Sequence, residues 1–220
     1  MKLIRIAIDG PGGAGKSTIA KEVSKKLKID YVDTGAMYRA IALKITREGI
    51  ALEDNAQLIK VLEDTNIDFE NEKIFLDGED VSKYIRTPEI SIMASKCSAI
   101  LEVREKLVSL QREMGMSKSI IMDGRDIGTN VLKDAEFKFF MTASPDERAQ
   151  RRFKELTEKG EETTYKIVLD SIIERDKNDT TRKLNPLKPA QDSIILDTSG
   201  MTIKEVTDRI LKEVKKDGDC

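Results

Sequence analysis

The stretch Gly10-Pro11-Gly12-Gly13-Ala14-Gly15-Lys16-Ser17-Thr18 fits the pattern G-x-x-x-x-G-K-[ST] and decides the fold. It directly follows the apolar run of residues 3–8 and precedes residues 19–27, which have the pattern of a helix. A strand, a glycine loop and a helix in this order are the context that a phosphate-binding loop requires. The stretch therefore predicts a loop that binds the phosphates of a nucleotide.

The residue types in this loop suit phosphate chemistry. Glycines let the loop fold back, so that backbone N–H groups and the helix N-terminus point at phosphate oxygens. Lys16 would reach the terminal phosphates, and the Ser17 hydroxyl could ligate Mg²⁺. We expect Lys16 to be an exposed residue that supplies charge rather than packing. The alternative, a glycine-rich turn that carries a lysine by chance, does not explain the flanking strand and helix.

Composition narrows the possible functions. With 38 basic and 40 acidic residues, a non-specific nucleic-acid or membrane surface is not expected to be the main function. Apolar runs are short, and no signal-peptide pattern is seen, so we expect a soluble, cytoplasmic protein. The 220 residues include no histidine, which excludes histidine acid–base chemistry and Ser-His-Asp triads. Cys97 and Cys220 have no metal-type or CxxC spacing.

Short apolar runs alternate with helical patterns along the chain. Beyond the first strand, they predict strands at residues 30–32, 119–122, 137–141 and 194–196. This alternation predicts an α/β fold whose parallel sheet is covered by helices, with ligands at the carboxyl ends of the strands. Helix start signals are predicted at Thr87-Pro88, at Ser144 to Glu147 and at Thr202 to Glu205.

Two stretches depart from the alternation. A long excursion occupies residues 34–118, and its Asp77-Gly78 pair predicts a type I′ hairpin in a small β insert. The second stretch, Arg148–Tyr165, is highly charged, and we expect its helix to end near Gly160. Its composition is more typical of a mobile flap than of core.

Further charged residues follow the predicted strands. Asp123 ends an apolar strand, as expected of the second acidic motif of nucleotide-binding proteins near Mg²⁺. Arg125 and Asp126 come next on a loop and are interpreted as site residues, with a surface ion pair as the alternative.

Arginines recur on predicted helices. Arg148 and Arg152 share one helix, while Arg175 and Arg182 lie at near-helical spacing with Asp179. Solvated charged faces are the alternative for these residues. However, phosphoryl transfer between two polyanions requires several positive groups, and guanidinium groups suit phosphate. We therefore interpret these arginines as site residues.

Taken together, the sequence resembles the bacterial cytidylate kinases of the nucleoside-monophosphate kinase group. The resemblance rests on residues 8–17, 33–39 and 123–129, and on Glu174-Arg175-Asp176 with Asp179 and Arg182. It implies a single domain over residues 1–220 with a three-layer P-loop kinase fold and a five-stranded parallel sheet. It also implies an NMP-binding insertion at about 34–118 and a short LID at about 148–165.

The resemblance implies transfer of a phosphoryl group from ATP to CMP or dCMP with Mg²⁺, by a monomer without nucleic-acid or membrane partners. Residues 10–18 would bind ATP. The CMP phosphate would be bound by Arg39, Arg125 and Arg182, and the ribose by Arg175 and Asp179. Cytosine would be read by Ser95, Arg104 and Asp126, the acceptor pocket would be lined by Thr34 and Tyr38, and Asp123 would also be a substrate-binding residue. The LID arginines Arg148 and Arg152 would close over the transferred group.

Some points stay open at this level. Some relatives have Lys-Gly-Thr where this chain has Lys16-Ser17-Thr18, so either the Ser17 hydroxyl or water could complete the Mg²⁺ shell. A kinase that phosphorylates a hydroxyl group is one alternative function, and a purely structural nucleotide-binding module is another. A regulatory GTPase is disfavoured because the sequence lacks an Asn-Lys-x-Asp guanine-recognition motif.

Overall fold

The computed structural model describes residues 3–70 and 72–216, so Cys220 lies outside the described residues. The chain forms two compact units. The sheet unit combines the residues up to Tyr31 with those from Lys118 onward, and the inserted unit comprises Val32–Ser117. The division of the chain into a single kinase domain with an insertion at about 34–118 and a LID stays a prediction.

The described residues form the following strands and helices, which alternate in parts of the chain and occur in runs in others. The strands are β1 (Arg5–Asp9), β2 (Asp30–Asp33), β3 (Ile67–Glu70), β4 (Lys73–Leu76), β5 (Glu79–Asp80), β6 (Ile120–Gly124), β7 (Phe137–Thr142) and β8 (Ile194–Asp197). The helices are α1 (Lys16–Leu27), α2 (Thr34–Glu48), α3 (Asn55–Glu63), α4 (Pro88–Cys97), α5 (Leu101–Ser117), α6 (Pro145–Glu158), α7 (Tyr165–Thr181) and α8 (Ile203–Lys216). A π-helical turn, Ile127–Val131, follows β6.

The large sheet has the strand order β2-β6-β1-β7-β8. β1 is parallel to both β6 and β7, and β7 is parallel to β8. Ile6, Ala7 and Ile8 of β1 are fully buried, as expected of a central parallel strand that is covered on both faces. The predicted α/β fold with a five-stranded parallel sheet is therefore confirmed.

Helices α1 and α8 pack on this sheet through one hydrophobic core. Ile19 and Val23 of α1 and Ile210 of α8 are buried against β-strand residues such as Ile8 and Phe139. Spacings of three and four residues place these side chains on one face of each helix. The core anchors the N-terminal helix that follows the glycine loop, and it thereby fixes the direction of the loop.

The predicted helix starts are confirmed. Thr87 and Ser144 each accept a hydrogen bond from the backbone N–H three residues later, and proline follows each of them. At α8 the capping box is reciprocal, because Thr202 accepts from the Glu205 N–H while the Glu205 carboxylate accepts from the Thr202 N–H.

In the inserted unit, β3, β4 and β5 form a small antiparallel sheet. Asp77 and Gly78 connect β4 to β5 with φ angles of 51° and 86°. Two consecutive positive φ angles define the predicted type I′ hairpin, which is confirmed. Lys44 of α2 also donates to the Asp77 carboxylate at 2.7 Å, which holds the turn against the helix.

The segment Arg148–Tyr165 differs from the expected flap. It forms most of α6, a link with Gly160 at φ 77°, and the first residue of α7. Ala149, Leu156 and Val168 are buried together in a small core between the two helices. The segment therefore has more core character than its charged composition suggests, because apolar residues at helical spacing lie among the charged ones, and its role as a LID stays a prediction.

Candidate active site

The glycine loop joins β1 to α1, and its backbone requires glycine at defined points. Gly10 has a φ angle of 149°, and a Cβ atom there would lie 2.0 Å from the carbonyl oxygen of Met141 in β7. Gly13 has a φ angle of 78°, and its Cβ would meet the Arg148 side chain at 3.2 Å. The loop is therefore packed closely between β7 and α6.

Lys16 is buried, which corrects the expectation of an exposed loop lysine. Its ammonium group donates to the Pro11 carbonyl at 2.8 Å, so the side chain folds back beneath its own loop. Burial and the neighbouring charge of Arg125 lower the pKa of Lys16 from its ordinary value. The loop thus holds the lysine ready to interact with an anion.

Asp123 lies at the end of β6, as predicted, and is buried. Its Oδ2 accepts a hydrogen bond from the Ser17 hydroxyl at 3.0 Å, and its Oδ1 accepts one from the Tyr31 hydroxyl at 2.8 Å. Serine hydroxyl and carboxylate oxygens are the ligand types that Mg²⁺ prefers.

The oxygen atoms of Ser17 and Asp123 are suitable ligands for a magnesium ion that is bound together with a nucleotide. In the described part of the chain, no group of three or more His, Cys, Asp or Glu side chains could hold a metal by itself. Magnesium commonly retains water ligands and shares substrate phosphates. Ser17 and Asp123 match the modest protein contribution that such a site needs.

Arginines and carboxylates converge on the loop after β6. Arg125 donates to Asp179 of α7 at 2.7 Å, and Arg182 donates to Asp126 at 3.1 Å. A Cβ atom on Gly12 would lie within 3.6 Å of guanidinium nitrogens of both Arg125 and Arg175. The predicted sheet-unit residues thus lie close together near the phosphate loop, although Arg175 is exposed, and their roles in a site stay predictions. The cluster members are Arg125, Asp126, Arg175, Asp179 and Arg182.

The arginines of the cluster lower the pKa of Asp179. Burial alone would raise the pKa of Asp179, but the charges of Arg125, Arg175 and Arg182 outweigh it and hold the pKa below its ordinary value. Asp179 therefore stays ionised and holds Arg125 in a fixed orientation.

Sequence reasoning missed Asp9. It ends β1, is buried, and accepts hydrogen bonds of 2.8 Å from the backbone N–H groups of Ile127 and Gly128. Burial raises the pKa of Asp9 to about 6, against the lowering effect of these two bonds. The same signal that pointed to Asp123, an acid at the end of an apolar strand, could have identified it.

The two predicted LID arginines have different surroundings. Arg148 is buried and donates to the carbonyl groups of Gly12 and Ala143 and to the Asp176 carboxylate. Arg152 pairs at 2.9 Å with Glu155 on its own helix. The structure therefore places Arg148, but not Arg152, against the phosphate loop, and the catalytic roles of both stay predictions.

In the inserted unit, the predicted acceptor residues lie on α2, α4 and α5. Asp33 caps α2 by accepting from the Ala36 N–H, and it pairs with Arg39 at 2.9 Å. The buried Arg104 has its guanidinium carbon 5.9 Å from the centre of the Tyr38 ring. Two further predicted residues are Thr34, buried in the first turn of α2, and Ser95, half-buried on α4.

Comparison with known sequences decides the family. The sequence profile described as cytidylate kinase matches residues 6–216 of this chain. The chain belongs to the cytidylate kinase family. This finding confirms the resemblance seen in the sequence blocks around the phosphate loop, α2 and β6.

Individual members of the cytidylate kinase family are similar over nearly their whole length. A cytidylate kinase from Caldanaerobacter subterraneus subsp. tengcongensis is 52% identical over 213 residues, covering 97% of this chain and 95% of the relative. One from Clostridium perfringens is 49% identical over 215 residues, covering 98% and 99% respectively.

Solved structures extend the comparison to the fold. A shikimate kinase from Bacteroides thetaiotaomicron aligns with a TM-score of 0.53 at 15% identity, over 97% of this chain and 99% of its own. A gluconokinase from Sinorhizobium meliloti aligns with a TM-score of 0.53 at 12% identity, over 97% of this chain and 92% of its own. At this identity the two structures support only the P-loop kinase fold of this cytidylate kinase family member.

Proposed function

We propose that the protein transfers the γ-phosphoryl group of ATP to CMP or dCMP, yielding ADP and CDP or dCDP. One observation carries the proposal: within the sheet unit, an arginine cluster lies directly against a phosphate loop that contains a buried lysine. Such a surplus of guanidinium groups suits two phosphorylated substrates rather than one.

For the donor, residues 10–18 would bind the phosphates of ATP through backbone N–H groups and Lys16. Ser17 and Asp123 would hold Mg²⁺, whose charge neutralises phosphate oxygens when it is bound. The Ser17 hydroxyl already donates to Asp123, which orients its oxygen. We therefore favour the hydroxyl over water as the ligand at this position.

For the acceptor, Arg125 and Arg182 would bind the CMP phosphate, while Arg175 and Asp179 would contact the ribose. The acceptor oxygen of a phosphate is already anionic, so the reaction needs no strong general base. This agrees with a chain that has no histidine. Positioning and charge stabilisation would then supply most of the catalysis.

Asp126 would distinguish cytosine from uracil. An ionised carboxylate only accepts hydrogen bonds, so it favours the exocyclic amino group of cytosine over the carbonyl of uracil. Arg182 donates to Oδ1 of Asp126 and Asn130 to Oδ2, so the carboxylate is held in place. The roles of the inserted-unit residues in acceptor binding stay predictions from the family resemblance. They are Thr34, Tyr38, Arg39, Ser95 and Arg104.

We also propose that the enzyme works as a cytoplasmic monomer, without nucleic-acid or membrane partners. Within residues 3–70 and 72–216, no helix combines the length and apolarity needed to span a bilayer. Gel filtration coupled to light scattering of the purified chain tests the monomer, and a mass of about 25 kDa is expected from the 24.7 kDa chain. A stable mass of twice this value would contradict it.

The function is tested by an assay of ATP and Mg²⁺ with CMP, dCMP, UMP and AMP as separate acceptors. We expect rapid ADP formation with CMP and dCMP and much slower reaction with UMP and AMP. Gluconate serves as a control for a kinase that phosphorylates hydroxyl groups. Faster reaction with gluconate, or with UMP than with CMP, would refute the proposal.

A further inference from the structure

The Tyr31 hydroxyl occupies a position that neither the phosphate-loop motif nor the arginine cluster explains. Tyr31 lies on β2, which neighbours β6 in the large sheet, and its hydroxyl donates to Oδ1 of Asp123 at 2.8 Å. Ser17 donates to the other oxygen, Oδ2, at 3.0 Å. The two oxygens of this buried carboxylate are therefore contacted by hydroxyl groups from two different elements.

The remainder of the tyrosine is held independently of this hydrogen bond. Its ring packs against the hydrophobic core of the sheet unit, and the Lys21 ammonium lies 5.9 Å from the ring centre. The Asp30 N–H, next to it, donates to the Ser119 carbonyl and ties β2 to the residue before β6. Removing the hydroxyl would thus leave the ring and the strand in place.

The orientation of Asp123 matters because of its neighbour Ser17. A carboxylate at a strand end can rotate about two side-chain bonds, and donors on both oxygens restrict these rotations. With Oδ2 of Asp123 turned toward Ser17, the serine hydroxyl directs its proton at Asp123. The lone pairs of the serine oxygen then point away from the carboxylate. Mg²⁺ demands near-ideal octahedral geometry, so this orientation affects how well the pair can hold it.

We infer that Tyr31 is a positioning residue, which orients Asp123 and Ser17 for the binding of a magnesium–nucleotide complex. The inference rests on the proposed function, since it assumes that a nucleotide and Mg²⁺ bind at this loop. It predicts a specific signature. Loss of the Tyr31 hydroxyl weakens the part of nucleotide binding that depends on Mg²⁺, and leaves the metal-free part unchanged.

The test compares wild type with Tyr31→Phe and with a matched control, Tyr84→Phe, which removes the hydroxyl of a half-exposed tyrosine in the inserted unit. Calorimetry gives the Kd of ADP with Mg²⁺ and with EDTA. We expect Tyr31→Phe to bind ADP about tenfold more weakly than wild type in Mg²⁺, which is the scale of losing a hydrogen-bond partner of a metal ligand, and equally in EDTA. Tyr84→Phe should bind ADP with the same Kd as wild type, both with Mg²⁺ and with EDTA. The ratio of the two Kd values is insensitive to partial unfolding, which lowers both apparent affinities alike.

Three outcomes overturn the inference. Equal affinities of Tyr31→Phe and wild type in Mg²⁺ would show that the hydroxyl does not act on the metal site. An equal loss in Mg²⁺ and EDTA would indicate a purely structural role. In both cases wild type still binds ADP more tightly with Mg²⁺, and the proposed function stands. If wild type shows no tightening by Mg²⁺, the proposed donor site and the inference fail together.

A double-mutant cycle tests the route through Asp123. If Tyr31 acts by orienting the carboxylate toward Ser17, Tyr31→Phe should weaken Mg²⁺-dependent ADP binding much less in a Ser17→Ala background. Fully additive losses would contradict this route, because they would mean that Tyr31 and Ser17 act independently.

Discussion

At the scale of single residues, the sheet unit concentrates buried charge around the phosphate loop. Lys16, Asp9 and Asp123 are each buried at the ends of β1 or β6 or at the start of α1. Buried charges need partners, and each of these has a hydrogen bond to backbone or side chain. Substitutions at these positions therefore test the electrostatic contribution of each buried charge.

Lys16→Ala should reduce turnover of ATP and CMP by about 100-fold or more, because it removes a positive group that stabilises the transferred phosphoryl group. Steady-state kinetics measure the loss. Lys25→Ala, at an exposed position of the same helix, is the matched control and should retain wild-type turnover. Near-normal turnover of the Lys16 variant would contradict the assignment of the phosphate loop.

Asp126→Asn should weaken the preference for CMP over UMP by about 1–3 kcal/mol, since an amide can present a donor to uracil where the carboxylate cannot. The ratio of kcat/KM values for the two acceptors measures the change. Asp170→Asn, at an exposed position of α7, should leave the ratio unaltered. A ratio that Asp126→Asn leaves at the wild-type value would exclude Asp126 from base recognition.

Asp9 should make stability depend on pH in a defined window. Its pKa is raised from 3.8 to about 6 in the folded protein, so the folded state binds the proton more tightly than the unfolded state. The stabilisation, about 3 kcal/mol for a shift of this size, is fully present below about pH 4 and is lost as pH rises through 6.

Asp9→Asn cannot titrate, so the free energy of unfolding of wild type relative to this variant should rise as pH falls from about 6 to 4. It should be constant above about pH 7. Urea unfolding at several pH values measures the difference. A difference that does not change between pH 4 and 7 would disprove the pKa assignment.

At the scale of elements, the ends of helices and strands position the site. α1 begins at Lys16, β6 ends beside Asp123, and α7 supplies Arg175 and Asp179 from one face. Side chains four residues apart lie on the same side of a helix, so Asp179 contacts Arg125 after β6 while Arg175 lies near Gly12 of the phosphate loop. Gly10, at the start of the phosphate loop, has no side chain and so lets the loop pack closely against β7.

Gly10→Ala should lower the free energy of unfolding by about 3 kcal/mol or more. The new Cβ would overlap the Met141 carbonyl, and alanine would also have to adopt the positive φ angle of this position. Gly200→Ala is the matched control: its φ angle is 67° and no atom lies near its Cβ position. The control should cost only about 1–2 kcal/mol for the left-handed backbone. Similar losses in the two variants, measured by urea unfolding, would argue against close packing of the loop on β7.

At the scale of the whole molecule, the described chain consists of two compact units, each with its own sheet. In the sheet unit, several hydrogen bonds join the α6–α7 pair to the rest: Arg148 donates to Gly12 and Ala143, and Asp179 accepts from Arg125. Its small core is separate from the large core under β1. Elements with few buried contacts are the ones expected to respond to ligands.

Hydrogen exchange in Arg148–Tyr165 should slow strongly when CMP and a non-hydrolysable ATP analogue bind together, if this segment closes as a LID. The central strand β1 is the internal control and should change little, since it is already buried. Exchange in Arg148–Tyr165 that is the same with and without both ligands would remove the LID role. The phosphate loop and the arginine cluster would be unaffected by that result.

The sequence by itself determined the strands of the large sheet, three helix starts, the type I′ turn and the phosphate loop, because each depends on residues that are close together in the chain. It also pointed to Asp123, Arg125 and Arg182, through motif blocks that the family match supports.

Only the tertiary structure decided which distant groups meet. Asp9 finds its backbone partner Ile127 118 residues away, and Tyr31 lies 92 residues from Asp123. Lys16 was expected to be exposed but is buried, because the fold covers its loop. Such contacts follow from the order of strands in the sheet, which brings together the ends of elements that are far apart in the chain, and no local pattern encodes that order.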